Sequence, residues 1–144
     1  MRNIAVMMLV LLVAFAAARV AGASAGFAGR VGLAALFCFT ALGHFAMPAE
    51  MLGMLPAGVP ARKLIVLLSG VLDAALAIGL LLPATAHAAA VAALVFLVAA
   101  APLNVYAACH RVAFGGHGAG PRYLLVRLPL QAALIAWAWW FGLR

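Results

Sequence analysis

Between Lys63 and Pro83 the chain reads LIVLLSGVLDAALAIGLLL, nineteen residues with one charged side chain, Asp73, near the middle. As a helix rising ~1.5 Å per residue, a run of this length crosses the ~30 Å hydrocarbon core of a bilayer. A carboxyl group at such depth must face the interior of a helix bundle and find a partner or a proton, because lipid supplies neither. The chain holds only two acidic residues, Glu50 and Asp73. One of them therefore sits where it is hardest to accommodate.

Four further apolar runs, at residues 4–18, 31–47, 87–108 and 123–143, flank this one. Hydrophobic residues make up 70% of the chain and charged ones 8%, whereas a soluble domain is roughly half apolar and about a quarter charged. Ala, Leu and Val run on continuously instead of alternating, so helices are expected and not a barrel. The expected architecture is an all-α transmembrane helical bundle in a lipid bilayer.

The net charge of +7 comes from nine Lys and Arg scattered between the apolar runs. That distribution suits topology and lipid head groups; nucleic acid would need basic groups clustered on one face. Cys38 and Cys109 are far apart and form no CxxC, with one expected deep and the other at a helix end. No disulfide is expected between them.

Local signals refine the outline. Residues 4–18, between Arg2 and Arg19, are short for a span, and Ala23-Ser24-Ala25 resembles a signal-peptide cleavage site. Arg19 interrupts the approach to it, so an uncleaved first helix is expected. Gly22 and Gly26 have GxxxG spacing but fall in the turn that follows. Residues 49–55, among Pro48, Pro56 and Pro60, suit either a short interfacial helix or a prolyl loop. Residues 111–121, RVAFGGHGAGP, lack the Lys-Ser/Thr ending of a phosphate loop and are expected to be a flexible linker. Trp137, Trp139 and Trp140 mark an interfacial anchor.

Alternating spans place His44, Asp73, Asn104, Arg127 and Gln131 in one half of the bilayer. Counted at ~1.5 Å per residue, their depths are roughly 5 to 14 Å. This one-sidedness predicts a polar pocket entered from one membrane face or leaflet. Arg127 is the expected counter-ion of Asp73, about 6 Å away in depth and within reach of a guanidinium. His44, sharing a helix face with Thr40, has an imidazole able to donate or accept a proton. Asp73 and His44 are the candidate catalytic groups; Arg127, Asn104, Gln131 and Ser69 are candidate ligand contacts. Each also has a structural explanation, as a register-setting ion pair, a helix-end His or an interhelical hydrogen bond. His44, Glu50, Cys109, His110 and His117 lie near the same face and suit zinc or copper by type, but no pair has HxxxH or CxxC spacing, and no metal is expected.

The segments ALGHFAMP, LPAGVP, LSGVLDAALAIGLLLP, APLNVYAA and RLPLQAALIAWAWW, in this order over residues 31–141, together resemble the DoxX-like family of small membrane proteins. The resemblance implies a four-helix membrane domain at residues 29–144, preceded by an extra hydrophobic or signal-like helix at residues 1–28. Its founding member is the small subunit of a thiosulfate:quinone oxidoreductase, and relatives serve in membrane oxidoreductase complexes or as assembly and chaperone factors. His44, Asp73, Asn104, Arg127 and Gln131 occupy matching positions. Gly43 stands where Asn often precedes the His, and Asp73 where Glu is usual.

The resulting expectation is a subunit of a membrane oxidoreductase system that binds a quinone or small redox substrate beside a partner subunit. No intrinsic redox centre is visible, so electrons must come from a bound quinone or that partner. The alternatives are a non-enzymatic assembly scaffold and a transporter or lipid-binding protein. The expected location is a bacterial inner or plasma membrane, crossed several times. Arg2, Arg62, Lys63, Arg111 and Arg122 outnumber Arg19, Arg30 and Arg144, which places the pocket mouth and N-terminus on the cytoplasmic side.

Overall fold

The computed structural model describes residues 2–144; the side chain of Arg2, counted above among the charges of one face, lies outside the described residues. All regular structure within them is helical. The order is α1 (Arg2–Val20), α2 (Ala25–Ala46), the short α3 (Pro48–Leu52), α4 (Arg62–Leu81), α5 (Ala86–Cys109), a 3₁₀ segment (His117–Tyr123) and α6 (Leu124–Gly142). Five of these stretches are long and apolar enough to cross a membrane. The chain is a multi-pass helical bundle.

Helix ends follow local chemistry. α1 stops where Gly22 takes a positive φ of 85°. Ala23 N–H then reaches back to the Ala18 carbonyl and Gly22 N–H to that of Arg19, which satisfies carbonyls the helix would otherwise leave open. Two residues later the Ser24 hydroxyl accepts from Phe27 N–H and starts α2, as N-capping serines do. α2 thus begins six residues before the apolar run at 31, and residue 28, the expected domain boundary, lies inside it. α5 ends in the same way as α1, with Val112 N–H on Ala107 and Arg111 N–H on Ala108. Here Arg111, at φ 49°, fills the left-handed position usually given to glycine.

α2 packs on α4, α1 and α6, and α5 packs on α4 and α6. α2, α4, α5 and α6 therefore close a ring in which α4 and α6 are not neighbours, and α1 lies against α2. The outer surface is the apolar one: Leu42, Leu68, Val71, Ile78 and Val95 are exposed. The inner stripe of α4 is Val66, Gly70, Asp73, Leu76, Ala77 and Leu80. A soluble bundle would reverse this arrangement; with lipid outside, close packing of small residues holds the helices together.

Glycine sets the closest approaches. A Cβ on Gly29 would lie 2.1 Å from Phe141 Cγ, and one on Gly32 would lie 2.8 Å from the Leu11 carbonyl oxygen. Gly26 has nothing within 4 Å, so the small-residue contact falls one and two turns beyond the GxxxG pair noted in the sequence. Leu11 is fully buried, and the Phe15 ring packs edge-on against Trp137 and tilted against Phe141. α1 is thus an integral part of the core.

Of the three tryptophans, Trp139 and Trp140 are exposed, as interfacial anchors are. Trp137 turns inward and donates to the Gly29 carbonyl at 2.9 Å. Trp137→Phe keeps the aromatic contact and loses this bond, so it is expected to destabilise the bundle by about 0.5–1.5 kcal/mol, read as a lower thermal midpoint in detergent. Trp139→Phe should leave that midpoint unchanged.

Candidate functional site

One end of the bundle gathers the C-termini of α2 and α5, the N-termini of α4 and α6, α3 and the segment leading to α6. Of residues 49–55, those up to Leu52 form the short helix α3, which starts on Pro48, and Gly53 to Leu55 are turn and bend. Close contacts knit the end together. A Cβ on Gly53, just after α3, would lie 3.2 Å from Val112 Cγ1, and one on Gly43 of α2 would lie 3.2 Å from Met51 Cε.

The first polar group lies between α2 and α4. Asp73 is 1% exposed, and its Oδ2 lies 3.5 Å from His44 Nδ1. The same nitrogen lies 2.9 Å from the Thr40 carbonyl, so its proton is directed mainly at the backbone and only weakly shared with the carboxyl. Asp73 Oδ1 is buried and has no hydrogen-bond partner among the described residues. Such an acid is under-satisfied. Two states resolve it: a protonated carboxyl, or a carboxylate to which an incoming O–H or N–H donates.

Gly70 makes this juxtaposition possible. A Cβ there would stand 2.7 Å from His44 Cβ and 3.2 Å from the Phe45 ring, so α2 and α4 touch where the acid and imidazole meet. Gly70→Ala is expected to push His44 away from Asp73 and to destabilise the bundle by about 1–3 kcal/mol, as overpacking does. The checks are a thermal midpoint and the His44 ring NMR shift, compared with His44→Gln.

The second group lies between α5, the 3₁₀ segment and α6. Asn104 Oδ1 accepts from Arg127 Nε at 3.1 Å and faces His117 Nε2 at 3.3 Å. Asn104 Nδ2 donates to the Ala100 carbonyl, which with Arg127 fixes the orientation of the amide. His117 Nδ1 lies 2.8 Å from the Phe114 carbonyl, and the Tyr123 hydroxyl donates to the Gly115 carbonyl at 2.7 Å.

Residues 111–121 are therefore an ordered cap and not the flexible linker expected from their glycines. Gly115, Gly116 and Gly120 all take positive φ, conformations that favour glycine, and they fold the segment so that His117 and Tyr123 are buried. Composition alone reads such glycines as flexibility; here they build a tight path.

The six candidate residues divide accordingly. His44 meets Asp73, and Asn104 meets Arg127, but the expected Asp73–Arg127 ion pair does not form. Their helices lie across the ring, and Arg127 turns its Nη1 to Met7 Sδ on α1. Gln131 donates to the Leu97 carbonyl of α5, an interhelical tie close to the helix-interior Pro102. Ser69 donates to the Ile65 carbonyl of its own helix. The shared polar chamber expected from the depth argument is replaced by two packed clusters. The shallow surface grooves are apolar, one lined by Leu94, Val95, Val98 and Ala99, the other by Leu9, Val10, Val13, Ala14, Ala17 and Ala35. Among the described residues no group of three or more His, Cys, Asp or Glu converges as metal ligands would.

Thr40, Gly70, His117 and Tyr123 were not singled out as site residues by sequence reasoning. Thr40 had a signal, four residues before His44. His117 had its place in a glycine-rich stretch and its residue type, which set it beside His44, Glu50, Cys109 and His110 as a metal-ligand type.

Residues 33–142, which span both clusters, match the family model described as Domain of unknown function (DUF8561). The chain belongs to the DUF8561 family. No curated protein and no solved structure matches it. The DUF8561 match begins within α2 and ends at the last residue of α6, so it takes in the closed ring and leaves out α1.

Proposed function

We propose that the chain is a membrane-embedded subunit that binds a quinone or small redox substrate against Asp73 and His44, working with a partner that holds the redox centre. The observation that carries this reading is Asp73 Oδ1, a buried carboxyl oxygen without a donor. Buried ionisable groups inside membrane bundles mark proton or substrate paths more often than they add stability. A hydroquinone hydroxyl supplies the missing donor. Its oxidation releases two electrons, which leave to the partner, and two protons, one taken by Asp73 and one by His44. Quinone reduction is the reverse.

The motif resemblance to DoxX-like proteins, which spans nearly the same residues as the DUF8561 match, supports the redox assignment. The positive charges on this end support a cytoplasmic orientation for it. The test is quinone reduction in proteoliposomes, wild type against Asp73→Asn. Loss of rate in the variant supports the reading. No rate with any donor, together with unimpaired behaviour of Asp73→Asn in cells, supports instead a scaffold that assembles another membrane protein, which the close packing around both clusters favours.

A further inference from the structure

The α5–α6 cluster has a different electrostatic character from the α2–α4 pair. Arg127 carries a permanent charge, yet its contacts are the Asn104 oxygen and the Met7 thioether at 3.6 Å, the latter a weak acceptor. Around it stand His117, whose two ring nitrogens both face oxygen acceptors, and Tyr123, whose hydroxyl is already spent on Gly115. A neutral imidazole can donate to only one of its two oxygens.

No carboxylate of this chain serves the cluster. Of the two acidic residues in the sequence, Asp73 lies against His44, and Glu50 is exposed on α3. Among the described residues no acidic side chain pairs with Arg127. A guanidinium half-buried in a bundle end, held by a buried amide and short of an anion, is incomplete as it stands. It has further N–H groups in a planar fork shaped for the two oxygens of a phosphate or carboxylate.

We propose that Arg127, with Asn104 and His117 as its rigid support, is an oxyanion-binding site at this end of the bundle, separate from the Asp73–His44 pair and filled by a phosphate or carboxylate group. The two sources of that chemistry are an anionic lipid head group entering from the adjoining leaflet and a small solute anion entering from the aqueous side. Asn104 makes the site specific for a fork. It holds Nε–H and so sets the guanidinium plane, leaving Nη2 and the second N–H of Nη1, whose other proton faces Met7 Sδ, for the ligand. The site does not depend on the redox reading.

Native mass spectrometry of the full chain released from nanodiscs distinguishes the sources. In discs of mixed phosphatidylglycerol and phosphatidylcholine, the wild type is expected to retain one phosphatidylglycerol after detergent exchange. Arg127→Gln should lose it about tenfold more readily, and Lys63→Gln, at an exposed position of the same end, should behave as wild type. In discs of phosphatidylcholine alone, titration with inorganic phosphate tests the solute route, read through perturbation of the His117 ring NMR signals. Asn104→Leu keeps the charge and removes the support, so weakened retention with an unchanged thermal midpoint confirms the positioning role. Equal retention by wild type, Arg127→Gln and Asn104→Leu, with no response to phosphate, overturns the proposal. If Arg127→Gln fails to fold, Arg127→Lys and Asn104→Leu carry the same comparison.

Discussion

Asp73→Asn is expected to lower quinone-dependent turnover by about 10²–10⁴-fold, the range contributed by a positioned acid or base, while the thermal midpoint stays level or rises. The two directions come from one cause. Asp73 lies in the inner stripe of α4 with one oxygen unpartnered and the other 3.5 Å from a nitrogen already directed at a backbone carbonyl. Asparagine has nearly the same shape, so packing in the buried stripe of α4 is retained. It carries no charge to bury, which removes a cost that a pair of this geometry repays poorly. What asparagine cannot do is take and return a proton. Turnover in proteoliposomes and unfolding in detergent should therefore part company, and Asp73→Glu, which keeps the carboxyl, should recover part of the rate. Equal turnover by wild type and Asp73→Asn would remove the acid from the mechanism.

Gly29→Val should be among the most disruptive single changes to the bundle, costing about 1–3 kcal/mol or more by overpacking. The added Cβ would lie 2.1 Å from Phe141 Cγ and 2.4 Å from its Cβ. Phe141 Cβ is fixed by its backbone, so a rotamer change cannot clear it and α6 itself must move. Moving α6 lengthens the Trp137 bond to the Gly29 carbonyl and opens the Phe15–Trp137–Phe141 cluster that joins α1 to the ring. The control is Gly26→Val. It makes the same change in the same helix three residues earlier, where nothing lies within 4 Å, and should shift the midpoint little. Similar midpoints for the two variants would show that the Gly29 contact does not hold α6 in place.

The glycines show why parts of the site were hard to read. Gly22 and Gly26 have the spacing associated with helix contact, yet one bends a turn and the other faces open space. Gly29, Gly32 and Gly70 make the contacts, and nothing in their immediate sequence sets them apart. Close approach is a property of two helices, and hydropathy describes one at a time. The same holds for residues 111–121, where glycine marks backbone permissiveness without telling whether the permitted conformations are used for motion or for one tight path.

The number of helices, their approximate ends and the half of the bundle that holds the polar groups were legible in the linear chain. Each crossing must satisfy its own backbone over a set length, and turn and cap residues such as Gly22 and Ser24 act within a few positions. Which polar groups meet is a different matter. Asp73 and Arg127 lie in the same half, yet one faces His44 and the other Asn104, because α4 and α6 stand across the ring and each side chain leaves its helix at an angle set by packing. Depth follows from counting residues; neighbours follow from helix order and rotation, which glycine contacts and buried hydrogen bonds choose once the chain has folded.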